Sequence, residues 1–504
     1  MKKNVLFLLV ILTCFILLPN NVDAKVFKQV NQTGREQSSN QINHTESYKL
    51  DNGDYLISAS KYITRITNEG TVVWTYDTNQ VDNDMVILGD YVYIGSRSES
   101  LKKIKLSDGT LVKKEKNIKP DELAACGNSI IAIVDDNVYE INQDLTVVKE
   151  YSDNSLDSNQ YSYFLNVVSD DSYIYVINVI ETVLEPTGEA NISSSVFESK
   201  IIKLDKNLIK VTTMPINEYY LNQHNYGETF FTDNSGNLYI VDDYILKINS
   251  DGTSRLLYNP YGESDRNAKV YQSGTIVDNY LVVGGLYYDN SGKKIIGPMD
   301  EYTGIPIVDI YDANNNLVEE HELKTDGSNA YSFDVYNINT TSTDGFIVKW
   351  ISRRSGSVSA AEFPGNYSNM INAQVVNKIR PSSINSLNIT EFSRIRNVKL
   401  NVKGSGSVKV SSTDCVCGEV VKLTIEQKEG YYLKSLVVRD INGNKLKVKD
   451  NQFVMPCDGD VTIDAQFREI INPETSSILI IAILLVTIII GSTMLVRKKS
   501  VQNN

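Results

Sequence analysis

Histidine is almost missing from this chain: His44, His224 and His321 are the only three in 504 residues, and each stands alone. None belongs to an H-E-x-x-H pair or to a spaced cysteine pair, so metallopeptidase chemistry and zinc knuckles have no ligand set. Cysteine is nearly as scarce. Of five, Cys14 lies in an apolar leader, and the four that remain are too few for a disulfide-stapled secreted scaffold. No G-x-S-x-G, P-loop or G-x-G-x-x-G fingerprint occurs. The "GSGSV" stretch from Gly404 to Val408 reads as a hairpin turn with no helix behind it to present a phosphate site. Positive charge is also short, with 49 Lys and Arg against 62 Asp and Glu for a net charge of −13, which excludes a nucleic-acid partner. The sequence therefore implies no cofactor, no metal and no catalytic residue recognisable from local spacing.

Long apolar runs occur only at the two ends. Residues 1–24 carry a basic start at Lys2 and Lys3, an apolar stretch and a V-x-A ending, so a signal peptide is expected, cut between Ala24 and Lys25. Residues 25–45 read as an N-terminal linker. At the other end, residues 478–496 form a run long enough, at ~1.5 Å per residue, to cross a hydrocarbon core of ~30 Å as one transmembrane helix. The tail 497–504 opens with Arg497, Lys498 and Lys499, which places it in the cytoplasm and the body of the protein outside the cell.

Between body and span lies the linker 469–477, and within it Asn472, Pro473, Glu474, Thr475 and Ser476. With the span and basic tail behind it, this pentapeptide resembles a sortase signal of the L-P-x-T-G and N-P-x-T type, departing from it in Asn472 for the commoner Leu and Ser476 for the commoner Gly. The resemblance implies that a sortase-like transpeptidase attacks the Thr475 carbonyl and transfers the protein to the cell wall. The plain alternative is a retained single-span anchor. Sparse cysteine and abundant Asn, Lys, Ile and Tyr fit a low-GC Gram-positive-type bacterium.

One phrase recurs through the first three-quarters of the chain: a turn, a Tyr- and Val-rich strand, a second strand, another turn and a third strand. The clearest copy is "LDNGDYLISASKYITRITNEGTVVWTYD", where Gly53 and Asn68-Glu69-Gly70 supply turn chemistry and Tyr55, Ile57, Ile63 and Ile66 alternate as half-buried strands do. Six weaker copies follow, ending with "TDGFIVKWISRRSG". Periods of ~40 to 50 residues holding three or four strands indicate propeller blades. Residues 46–378 are accordingly read as a seven-bladed β-propeller in an all-β chain; a run of β-sandwiches is the alternative. Phrases such as "ITNEGTVVWTYD" and "LSDGTLVKK" resemble repeats of PQQ-like and WD-like propellers.

Residues 379–396 are polar and read as a linker. From 397 to 468 a second β-unit is expected, in the order strand, Gly-Ser turn, strand, Gly-Glu turn, long strand, "EGYY", strand, Asn-Gly turn, strand, "F-x-M-P", strand. Gly418-Glu419, Glu429-Gly430-Tyr431 and Phe453-x-Met455-Pro456 resemble the internalin-type B repeat of bacterial surface proteins, which implies a stalk or spacer. If the sheet closes as that family implies, Cys457 meets Cys415 or Cys417, and a disulfide closing ~40 residues contributes roughly 3 to 4 kcal/mol.

Binding candidates come from the thirty tyrosines. Tyr55, Tyr91, Tyr93, Tyr173, Tyr175 and Tyr239 alternate within strands and read as blade packing. Tyr287, Tyr288 and Tyr302, with Tyr258 and Tyr261 in "LLYNPYGES", are read as lying in inserted, exposed loops, where amphipathic rings suit a glycan or protein ligand. The D-x-N-x-N runs at Asp312, Asn314, Asn316 and at Asp440, Asn442, Asn444 read as turns rather than calcium loops. The expected molecule is a surface-anchored, non-enzymatic binding or adhesion protein with an extracellular protein or glycan ligand. The alternative is a surface enzyme of polysaccharide lyase, glycosidase or quinoprotein type using the central face of the propeller.

Overall fold

The structure, a computed structural model, describes residues 25–36, 47–59, 61–79, 84–153, 156–184, 195–216, 229–233, 235–242, 244–258, 267–289, 305–324, 335–341, 344–353, 385–470 and 481–488. The signal peptide, the sorting pentapeptide, His44, His224, Tyr261 and Tyr302 lie outside these residues. The chain divides into two compact units, Met1–Ser393 and Arg394–Asn504.

The first unit is a seven-bladed β-propeller. Its seven four-stranded sheets follow in chain order as blade 1 (47–77), blade 2 (84–115), blade 3 (122–151), blade 4 (160–215), blade 5 (229–258), blade 6 (267–322) and blade 7. Strands are counted here from first, at the ring's centre, to fourth, at its rim. First strands adjoin from blade to blade, and the Tyr48 hydroxyl of blade 1 donates to the Met85 carbonyl of blade 2 at 3.0 Å.

Blade 7 combines the two ends of the ring. Its first three strands are Val335–Thr341, Gly345–Arg353 and Asn385–Arg394, and its fourth is Phe27–Glu36. Both outer strands lie in segments read from sequence as linkers, which corrects the boundaries 25–45 and 379–396. Phe27–Glu36 carries no apolar alternation, and in Asn385–Arg394 it is confined to Leu387 and Ile389, with Phe392 out of step and polar residues between. Asn388, Thr390, Glu391 and Ser393 are buried polar residues. Thr390 accepts the Trp350 indole N–H at 2.9 Å, and Glu391 accepts the Tyr55 hydroxyl at 2.6 Å and pairs with Lys49. Their burial is sustained by partners rather than by hydrophobicity. The fourth strand is held by Phe27, which is fully buried and meets Phe346 and Tyr280 edge-on at 5.3 and 5.8 Å.

The repeated phrase explains how neighbouring blades are tied. On the second strands of blades 2, 4 and 5, tyrosines face a lysine directly opposite on the third strand, in the pairs Tyr93 with Lys103, Tyr175 with Lys203 and Tyr239 with Lys247. Lys203 lies 3.7 Å from the Tyr173 ring centre and Lys103 lies 4.1 Å from that of Tyr91, within cation–π range. Several of these groups reach the next blade's outer turn. Trp74 Nε1 and Arg65 each donate to the Leu106 carbonyl at 2.8 Å, Lys103 donates to the Gln143 carbonyl at 3.0 Å, and Lys149 donates to the Lys206 carbonyl at 3.2 Å.

Those outer turns share one geometry, in which the fourth residue is left-handed. It is Gly70, Gly109, Gly252 or Asn315 in four blades, but Leu145 and Leu208 in blades 3 and 4. A leucine there costs roughly 1 to 2 kcal/mol. Both leucines are buried in blade cores, and burial contributes roughly 1.5 to 3 kcal/mol, so it offsets the strain. The Asp312 run is one of these turns. Asp312 Oδ1 accepts the amides of Asn314 and Asn316 at 2.9 and 2.8 Å, as the turn reading expects.

The second unit holds a four-stranded sheet in the order Asp414–Cys415, Arg396–Lys403, Val461–Glu469, Tyr431–Arg439, and a three-stranded sheet of Gly406–Val410, Val420–Gln427 and Gln452–Val454. Arg396–Lys403 and Val461–Glu469 run parallel. A core that includes Val421, Phe453, Met455 and Ile463 lies within this unit. The strand expected directly after the Asn-Gly turn is reduced to a single bridge, Arg439 to Lys445. Cys417 pairs with Cys457, and Cys415 remains a buried thiol that donates to the Ser412 carbonyl. Among the described residues no helix is long and apolar enough to cross a membrane. Of the expected span, 481–488 is helical and the remainder lies outside the described residues.

Candidate functional site

Antiparallel pairing inside every blade sorts the connections onto two faces. First-to-second and third-to-fourth connections all open on one face, and none exceeds five residues. Second-to-third connections and those between blades open on the other. The strand ends that flank every long connection lie on that face, at 37–46, 184–194, 216–228, 259–266, 290–304, 323–334 and 354–384. Variation is confined to it because the short face is occupied by the turns that tie one blade to the next.

Blades 4, 6 and 7 carry the longest strands. In blade 4 the first three strands run for 10, 11 and 11 residues, and in blade 6 the first two run for 11 and 10. Blade 5 between them has strands of only 4, 5, 5 and 5 residues. The described strands of blade 5 are thus flanked by the longer strands of blades 4 and 6.

Blade 4 carries Tyr161, Glu181 and Phe197 directly opposite one another on three strands, with Tyr163 two positions along. This is the side that packs on blade 5 lower down, through Ile177 and Ile201. Tyr161 and Tyr163, on the first strand, are 54% and 40% exposed. Tyr163 donates its hydroxyl to Glu181 Oε2 at 2.8 Å, and Ser195 donates to Oε1 at 2.7 Å. These two bonds, the one from Ser195 first, hold the Glu181 carboxyl below its usual range, so it is ionised at neutral pH.

In blade 6 the cluster centres on Asp309. Its Oδ2 takes Lys269 Nζ at 2.6 Å and the Tyr271 hydroxyl, which also contacts Tyr311 at 2.8 Å, while Lys269 pairs with Glu320 as well. Tyr271 reaches the third strand across Gly285, where any side chain would collide with the Tyr271 backbone. Asp309 is fully buried and its Oδ1 has no hydrogen-bond partner. Burial raises its carboxyl above the ordinary range, and burial likewise pushes the Tyr311 hydroxyl up to about 12. Sealed from solvent, Asp309 is not positioned to touch a substrate. The cluster braces the blade.

The expected aromatic site is only partly assembled. Tyr258 is half-buried against this brace, donating to the Lys269 carbonyl at 2.8 Å with its ring 4.9 Å from that of Tyr271. Tyr287 is also half-buried and packs with the core between blades 5 and 6. Tyr287 and Tyr288 belong to the strand Tyr280–Asp289 rather than to a loop, because this strand outlasts the blade length seen elsewhere. The side chain of Tyr288 lies outside the described residues. Tyr161, Tyr163 and Glu181 were not singled out from sequence; two tyrosines at i and i+2 in "NQYSYF" were the available signal. His321 is on an outer strand, 3.6 Å from Glu319 and 4.8 Å from the Phe392 ring. Among the described residues no group of three His, Cys, Asp or Glu could hold a metal ion.

Asp84 opens the first strand of blade 2, also at the long-connection face. It accepts the Met85 amide at 2.7 Å and the Leu123 amide of blade 3, and burial pushes its carboxyl up to about 7 against those bonds. The folded state therefore holds a proton that the unfolded chain has released above pH 3.8. Stability is expected to fall as pH rises from about 4 to about 7, by at most about 4 kcal/mol for this group. Urea midpoints across that range should slope less in Asp84→Asn than in the wild type.

No protein-family model matches the chain, and no curated protein matches it. Among solved structures it is similar to BamB from Moraxella catarrhalis, with 10% sequence identity, a TM-score of 0.39, and coverage of 73% of this chain and 98% of that one. The class is set by the seven four-stranded blades: the protein is a β-propeller followed by a small two-sheet β-unit.

Proposed function

We propose that the protein is a cell-surface binding protein whose ligand docks on the long-connection face of the propeller. The observation that carries this reading is that the strand ends flanking every long connection lie on one face, where blade 4 exposes Tyr161 and Tyr163. The second β-unit serves as a spacer of internalin B-repeat type, stiffened by the Cys417–Cys457 disulfide. The signal peptide directs export, and the pentapeptide Asn472 to Ser476 attaches the protein to the cell wall. A surface enzyme is supported less well. The two carboxylates brought together in blade 6, Asp309 and Glu320, share Lys269, and the first of them is sealed from solvent.

Deleting Asn290 to Gly304 removes a connection of blade 6 and leaves the four paired strands in place. Binding of the purified extracellular chain to its target cells is expected to be abolished, with the far-ultraviolet spectrum still β-rich. Binding that survives this deletion and is lost on removing residues 397–468 would place the ligand on the spacer.

A further inference from the structure

We infer that Glu319 is the docking site for the α-amino group of Lys25, freed when the leader is removed, so that cleavage of the signal peptide completes the closure of the propeller. This rests on the export reading, with its cut between Ala24 and Lys25, and adds what the new end of the chain does. Position along the chain is the first observation. The amides of Val26 and Phe27 both donate to Glu319 Oε2, at 3.2 and 3.0 Å. The expected cut falls one residue earlier, and backbone nitrogens of adjacent residues stand only about 3 Å apart. The nitrogen of Lys25 therefore arrives beside a carboxylate that already holds the first two amides of the strand.

The second observation is an unused acceptor. The Glu319 side chain is only 9% exposed, and its Oε1 is buried with no hydrogen-bond partner. A buried carboxylate oxygen left unpaired is costly, and native folds rarely tolerate one without a reason. His321 does not supply the bond. Its Nε2 lies 3.6 Å from Oε2 and is itself buried without a partner. An ammonium carries three N–H donors and the charge that a carboxylate prefers.

Third, the strand enters the ring without slack. Phe27 is fully buried and Val26 packs on the same core, so the residue before them is held at the carboxylate. Lys25 itself is exposed, which leaves its amine at the edge of the core rather than inside it. In the uncut chain this nitrogen is an amide bonded to Ala24, with one N–H and no charge. Only cleavage makes the contact charge-assisted.

The test compares three forms of the extracellular chain, each made with a removable leader in place of the natural one: one starting at Lys25 with a free amine, one acetylated at that amine, and one that keeps Asp23 and Ala24. Urea unfolding at pH 7 is followed by tryptophan fluorescence, since Trp74 and Trp350 both lie in the propeller. The free-amine form is expected to have a folding equilibrium constant at least about tenfold larger than the other two, the scale of a hydrogen bond to a charged group. In Glu319→Gln, which keeps an acceptor for the Val26 and Phe27 amides, the three forms should unfold together. Lys25→Ala, which removes the side-chain ammonium alone, should keep the advantage of the free amine. Equal midpoints for the three wild-type forms, a difference that persists in Glu319→Gln, or one that vanishes in Lys25→Ala would overturn the assignment. N-terminal sequencing of the exported protein separates the two claims. A start other than Lys25 brings down the cleavage site and the docking together, whereas a Lys25 start with equal midpoints removes the docking alone.

Discussion

Phe27→Ala is expected to destabilise the propeller by about 3 to 5 kcal/mol, the range for removing a buried phenylalanine. The side chain is fully buried between Phe346 and Tyr280, so its loss leaves a cavity where blades 6 and 7 meet. The strand it anchors makes further bonds around the closure. The amides of Val26 and Phe27 donate to Glu319 at 3.2 and 3.0 Å, Asn31 donates to the Tyr55 hydroxyl at 2.8 Å, and Gln32 donates to the Lys324 carbonyl at 2.8 Å. Blades 1, 6 and 7 are thus all linked through one strand. Deleting 25–36 should therefore cost more than Phe27→Ala, exposing the third strand of blade 7 as an unpaired edge prone to aggregation. Urea unfolding monitored by tryptophan fluorescence reads the effect directly, because Trp350 lies in the same core. A midpoint shift within experimental error for Phe27→Ala would mean that the ring does not depend on this strand.

Thr475→Ala is expected to abolish attachment to the cell wall. In the proposed transfer the transpeptidase thiolate attacks the Thr475 carbonyl, the peptide bond to Ser476 breaks, and a wall-peptide amine then displaces the enzyme to form a new amide. The remaining span and basic tail leave with Ser476. With alanine at 475 the chain should stay in the membrane and be extracted by detergent. The wild type should be released only by wall-digesting enzymes. Detergent release of wild-type protein that still ends in "VRKKSVQNN" would instead identify an ordinary single-span anchor.

Much of the ring was legible because the second, third and fourth strands of a blade carry their own turns. "SGNLYIVDDYILKINSDGTSRLLY" covers three strands of blade 5, with Gly236 in the turn that leads into them and Gly252 in their last hairpin. The first strands were missed as part of the repeat. Ser47–Lys49 and Thr229–Thr232 are too short to alternate, and packing at the centre of the ring decides them. Closure was illegible for a different reason. Asn385–Arg394 and Phe27–Glu36 acquire partners only from the opposite end of the ring, and local patterning carries no trace of that. The sequence left Cys457 to meet either Cys415 or Cys417; in the structure Cys415 faces the core, beside Met455 and Val461, and Cys417 is the one paired.

Native-state hydrogen exchange tests the closed ring most directly, since the two-faced sorting of connections depends on it. The amides of Phe27 to Thr33 that pair with the third strand of blade 7 should exchange as slowly as those of Asn385–Arg394, and both sets should lose protection together under denaturant. Exchange of Phe27 to Thr33 within seconds, with Asn385–Arg394 still protected, would contradict closure by the N-terminal strand.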